Sequence, residues 1–227
     1  MTNKMKLKMT IDVAMSIVLF VLMSYQLTGQ KNHEMAGALM LILFIAHHVL
    51  NFGWFKALGK GSYSPYRICT TVMNVALLLI MFLLMISGIR MSGYVFTFIE
   101  IPISMSVARS LHMTCSYLSF LLMGIHMGFH CTMMAGMIKK MKKGKVLNAK
   151  VKIVLRIIIG IVDLYGVYAL IKRNFFSYIS LQIHFVFFDY MEPGIYYVLD
   201  LLSISVLVIT IGYYVQKLMT SQSKHGG

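Results

Sequence analysis

The sequence predicts an all-α integral membrane protein: one bundle of six transmembrane helices over residues 1–227, with both termini cytoplasmic. Three observations lead there. Hydrophobic residues make up 59% of the chain and charged residues only 12%, about half the charged share of a soluble domain. Apolar runs long enough to cross a bilayer recur along it. Ten-residue stretches of alternating polarity, the mark of a membrane β-barrel, are missing.

Lys4, Lys6 and Lys8 precede the first apolar run, residues 11–28. Such a start also resembles a signal peptide, but no clear small-residue cleavage site follows, so the run reads as span 1. Residues 29–32 form a turn. Span 2 covers 33–52, and a polar loop with Gly59, Gly61 and Pro65 leads to span 3 at 67–89. A longer loop, 90–108, carries Tyr94, Phe96 and Pro102 before span 4 at 109–137. The densest charge run, Lys139 to Lys145, separates it from span 5 at 151–171. The segment 174–194 is too rich in Phe and Tyr for a solvated loop, so it is expected at the outer interface as part of an aromatic belt. Span 6 covers 195–215.

The net charge of +14 would suit nucleic acid, but its residues fall between spans, so it is read as topology and contact with membrane lipid. Sixteen of the basic residues lie in segments on the side of the termini and five on the other. By the excess of Lys and Arg on cytoplasmic loops, the termini are inside. Cys69, Cys115 and Cys131 sit in apolar segments without a Cys-x-x-Cys, which leaves no disulfide framework and no c-type haem attachment. The methionines are scattered and read as core filling rather than copper ligands. No glycine-rich phosphate loop occurs.

The histidines carry the chemistry. His33 and His47 in span 2 lie fourteen positions apart, as do His112 and His126 in span 4. Fourteen helical steps rise about 21 Å and turn four times less roughly 40°, so both members of a pair look out from nearly one side. Two such helices face to face would offer two stacked pairs of imidazoles, the axial ligands that two b-type haems require. The outer haem would take His33 and His112, the inner His47 and His126. His48 is about 60° off the phase of His33, and His130 lies one turn beyond His126, so a His48–His130 pair or a quinone-lining role stays open. Histidine within a span is costly and is a functional candidate by default, although one alone is often a packed, hydrogen-bonded side chain.

Gly37 and Gly124 lie near these histidines and would let a porphyrin approach the backbone; close helix packing explains glycines equally well. Arg109, one turn before His112, is the best candidate for a haem propionate, ahead of Arg90 and Lys31, with interfacial snorkelling as the plain alternative. Glu34 could accept the other N–H of the outer imidazole or sit as a charge at a helix N-terminus. His184 could help an electron partner dock, although packing explains it as well. Asp163 is an intramembrane acid suited to proton handling.

Several segments together resemble the flavinylation-associated cytochrome family. They are Tyr25-Gln26-Leu27-Thr28-Gly29, His33-Glu34, His47-His48-Val49-Leu50-Asn51, Ser87-Gly88-Ile89, Arg109-Ser110-Leu111-His112, Ser116-Tyr117, His126-Met127-Gly128-Phe129-His130 and His184-Phe185-Val186-Phe187-Phe188-Asp189. More distantly, the fourteen-step pairs are similar to cytochrome b and ferric reductase-like membrane proteins. The resemblance implies a bacterial cytoplasmic-membrane haem protein that passes electrons outward to an extracytosolic, FMN-bearing protein. A ferric reductase would bring its own flavin and nicotinamide domain, which this chain lacks. The expectation is therefore a dihaem b-type cytochrome with a membrane quinol as donor. From a different class, the histidines could line a metal-ion or proton transporter, or the haems could serve a reductase for which this chain is the membrane anchor.

Overall fold

A computed structural model describes residues 2–141, 148–183, 189 and 191–222. The elements are α1 (Asn3–Met23), α2 (Tyr25–Leu50), α3 (Gly53–Ala57), α4 (Pro65–Met91), α5 (Met105–Met141), α6 (Ala149–Lys172), α7 (Phe175–Ile179) and α8 (Gly194–Gln222). Among the described residues there is no strand. The protein is all-helical, and five helices are long and apolar enough to cross a membrane: α2, α4, residues Met105–Gly136 of α5, α6 and residues Gly194–Ser221 of α8.

The first helix differs from the expected span 1. It starts at Asn3, so Lys4, Lys6, Lys8 and Asp12 are all within it, and it is not among the five. It stops at Met23 rather than Thr28. The chain leaves α-helical geometry at Ser24, runs one turn, and leaves it again at Gly29, where φ is +73° and ψ 170°. Only glycine takes that conformation without strain. The reversal therefore sits at 24–29, ahead of the expected turn at 29–32, and α1 returns along α2.

Two compact units emerge, each crossed by part of α4 and α5. Unit 1 holds 2–62, 81–116 and 189; unit 2 holds 63–80, 117–141, 148–183 and 191–222. In unit 1, α1 and α2 form a hairpin, with Met40, Phe44 and Met81 buried. In unit 2, α6 and α8 pack together so closely that a Cβ on Gly166 would lie 2.6 Å from the Ser203 carbonyl oxygen. Close approach through glycine is how membrane helices gain van der Waals contact without a hydrophobic driving force. The aromatic segment expected at the interface begins as α7, whose Phe175 and Tyr178 are buried against Tyr117 while Phe176 is exposed. Large apolar side chains such as Ile42, Val49, Val72 and Leu164 remain exposed, as lipid contact requires.

Candidate functional site

Unit 1 brings His33 and His112 together. Their ring centroids are 6.0 Å apart and the planes are inclined at 72°. His33 lies on α2 one turn past Gly29, with Tyr25 edge-on at 5.2 Å. Its Nδ1 is buried and has no hydrogen-bond partner, while the ring is hydrogen-bonded to the Leu22 backbone. His112 lies on α5 against α4. Its Nδ1 is 3.2 Å from Ser87 Oγ, and the Ser87 hydroxyl itself donates to the Leu83 carbonyl at 2.7 Å. The serine oxygen thus accepts Nδ1–H, which leaves Nε2 of His112 with its lone pair free. Gly88 makes room for this ring: a Cβ there would sit 3.3 Å from His112 Cε1.

Glu34 does not serve His33. Its carboxylate accepts from Ser92 Oγ (2.7 Å) and from the backbone N–H groups of Gly93, Tyr94 and Val95 at 2.8–3.0 Å. It thereby ties the α4–α5 connection to the residue beside His33. Arg90 is likewise engaged, its Nε donating to the Ile103 carbonyl at 2.8 Å. Arg109 is exposed on α5, three positions before His112 and so on the same side of the helix.

The two glycines separate. Gly37 is one turn after His33, and a Cβ there would meet no atom within 4 Å, so the space over this face of α2 is open. Gly124, expected beside a porphyrin, is instead covered by α8: a Cβ there would run into the side chain of Val208. Gly128 and Gly212 continue the same close packing. The small-residue pattern in α5 serves helix contact in unit 2.

At the other end of α2, His47 Nδ1 meets Asp12 Oδ1 of α1 at 2.8 Å. His48 Nδ1 donates to the Phe44 carbonyl at 2.8 Å, so its Nε2 is free for a metal. His126 and His130 belong to unit 2, with ring centroids 4.8 Å apart. His184 lies outside the described residues.

Comparison with known proteins yields no match, whether to family models, to curated proteins or to solved structures.

His33 and His112, with ring centroids 6.0 Å apart, are the side chains that would hold a haem iron here, and the group would supply a one-electron couple. An orphaned buried nitrogen on one ring, a tautomer held by serine on the other, and open space above Gly37 are what a missing flat group would use. Among the described residues no three His, Cys, Asp or Glu side chains gather as metal ligands. A porphyrin supplies four nitrogens itself and needs only two from the protein.

Four residues carry no functional role in the sequence reading. Ser87 and Gly88 stood in the resemblance but had no role there. Asp12 and Asp200 are acids within apolar stretches, a signal that was available. Asp200 in unit 2 is fully buried and meets Tyr165 Oη (2.5 Å), Lys172 Nζ (3.0 Å) and Arg173 Nε (2.7 Å), while Glu192 also contacts Lys172 and Arg173. Asp163 lies beside Thr210, with Oδ1 buried and unpartnered.

Proposed function

We propose that this chain is a dihaem b-type cytochrome of the bacterial cytoplasmic membrane, carrying electrons from a membrane quinol to an extracytosolic FMN-bearing protein. The observation that carries it is the His33–His112 pair, 6.0 Å between ring centroids, beside the open face at Gly37. In this reading α1 is a sixth span and both termini are cytoplasmic. The excess of basic residues on that side supports this orientation. His33 and His112 hold the outer haem; the candidate imidazoles for the inner are those of His47 and His48 in unit 1 and of His126 and His130 in unit 2.

Haem supplies a one-electron couple when bound. The protein's part is to hold and insulate it. Ser87 keeps the coordinating nitrogen of His112 unprotonated, and Glu34 fixes the loop that follows α4 next to His33. Arg109 is placed to meet a propionate. With both His33 and His112 holding it, the group would serve electron transfer rather than oxygen chemistry. The transporter reading lacks a three-ligand cluster among the described residues, and no observation favours it over the cytochrome.

The test uses the full chain, loaded with haem, in sealed vesicles. A quinol added on the cytoplasmic side should reduce both haems and then an impermeant flavin on the outer side. Reduction of the haems without electrons reaching the outer flavin would contradict transmembrane transfer.

A further inference from the structure

The Asp12–His47 pair stands apart from the other polar contacts of unit 1. Its side chains are 51% and 29% exposed. An acid and an imidazole at the surface of a membrane hairpin are expensive and point to use. Fastening α1 to α2 does not require them, because Lys8 Nζ already binds Asn51 Oδ1 at 2.8 Å one turn away. With Asp12 accepting Nδ1–H, the Nε2 of His47 keeps a lone pair for an outside donor.

A run of aromatic rings leads away from this imidazole through His48. The His47 ring is 5.3 Å from that of His48, which lies 4.2 Å from Phe44 and 6.0 Å from Phe55. Phe55 in turn meets Trp54 at 4.9 Å and Phe52 at 5.9 Å, and Phe52 is 55% exposed. A bare acceptor beside flat apolar rings, one helix turn from the lysines that mark the inner headgroup level, suits a flat amphiphile that donates a hydroxyl.

We propose that Asp12, His47 and the rings of Phe44, Phe52, Trp54 and Phe55 form a quinol-binding site. His47 Nε2 accepts the quinol O–H, and Asp12 holds His47 in the tautomer that can do so. The inference rests on the cytochrome reading, gives its donor a seat, and leaves His48 as the α2 ligand of the inner haem. It carries a specificity. An oxidised quinone presents a carbonyl, an acceptor against an acceptor, so the reduced form binds better.

Full-length protein in lipid nanodiscs, with haem supplied, is titrated with duroquinol and with duroquinone by equilibrium dialysis. Quenching of Trp54, the chain's one tryptophan, places the ligand. The expected result is saturable binding with duroquinol preferred about tenfold, the scale of one matched against one frustrated hydrogen bond. Asp12→Asn and His47→Gln should each weaken duroquinol about tenfold at unchanged haem content. Lys8→Met, which breaks only the neighbouring contact, should leave the affinity as it was. Equal affinity for the two forms overturns the proposal, as does binding without quenching. So does a Lys8→Met loss equal to that of Asp12→Asn, or loss of haem in His47→Gln, which would make His47 an iron ligand. Wild-type protein that binds no haem overturns the cytochrome reading instead, and its duroquinol titration still reports on this site.

Discussion

Two buried polar groups, Asp200 in unit 2 and His33 in unit 1, are handled in opposite ways. In unit 2, Asp200 has no exposed surface, yet three donors reach its carboxylate and Glu192 balances the remaining cationic charge. In unit 1, His33 buries a ring nitrogen that nothing meets, and Gly37 one turn later looks onto open space. The glycines repeat the contrast, with Gly124, Gly128 and Gly166 each pressed against α8. A saturated cluster explains itself as structure. Asp163 Oδ1 in unit 2 is unmatched too; what sets His33 apart is a costly unmatched nitrogen together with the open space at Gly37, which leaves room for a group to be added.

That contrast can be broken first at Asp200. Asp200→Ala strands Lys172 and Arg173 without the buried partner, so unfolding in detergent should become easier by about 3–5 kcal/mol, with haem content per folded chain unchanged. A loss of haem without a loss of stability would reverse the roles assigned to the two units. Next come the glycines. Gly128→Leu forces a side chain into the Ile209 and Gly212 backbone and should cost about 1–3 kcal/mol. Gly37→Leu should leave thermal stability near wild type and lower the haem content, because its side chain would enter the open space. Equal thermal losses in both would mean that Gly37 is a packing glycine too.

A smaller effect is expected at Glu34→Gln. The amide keeps one acceptor for the Ser92–Val95 turn where the carboxylate has two, so stability should fall by about 1 kcal/mol. The smallest is a pH effect at Glu192, outside the spans. The ammonium of Lys172, then the guanidinium of Arg173, hold its carboxyl below the usual 4.5. A depressed folded-state value means that the stabilisation is present above the unfolded value and is lost as pH falls through the folded one. Wild type and Glu192→Gln should therefore differ by about 1 kcal/mol or less at pH 7 and converge in acid below about 4.5. Thermal unfolding at several pH values measures this.

Much of this was legible in the residues. Hydropathy located the five long apolar helices because each carries its own signal. That His33 and His112 lie at one depth followed from where spans 2 and 4 begin and how they are oriented, and their rings are 6.0 Å apart. Other features depend on a neighbouring helix and leave no local trace. Gly37 and Gly124 look alike in sequence, and only α8 covering one of them tells them apart. Phase mildly favoured His47 over His48 as the iron ligand, and it could not show Asp12 arriving from α1 to meet His47. The end of α1 differs for another reason: the expected span runs on to Thr28, whereas the chain leaves helical geometry at Ser24 and again at Gly29, backbone breaks that hydropathy does not record.

The account rests on an iron held between His33 and His112. The most direct measurement is haem and iron content, with reduced-minus-oxidised absorption, for wild type and His112→Ala purified with haem supplied. Two b-type haems per chain, falling to one in the variant while the helical content stays unchanged, is the predicted result. A wild type without haem, or a variant that keeps both, would contradict it.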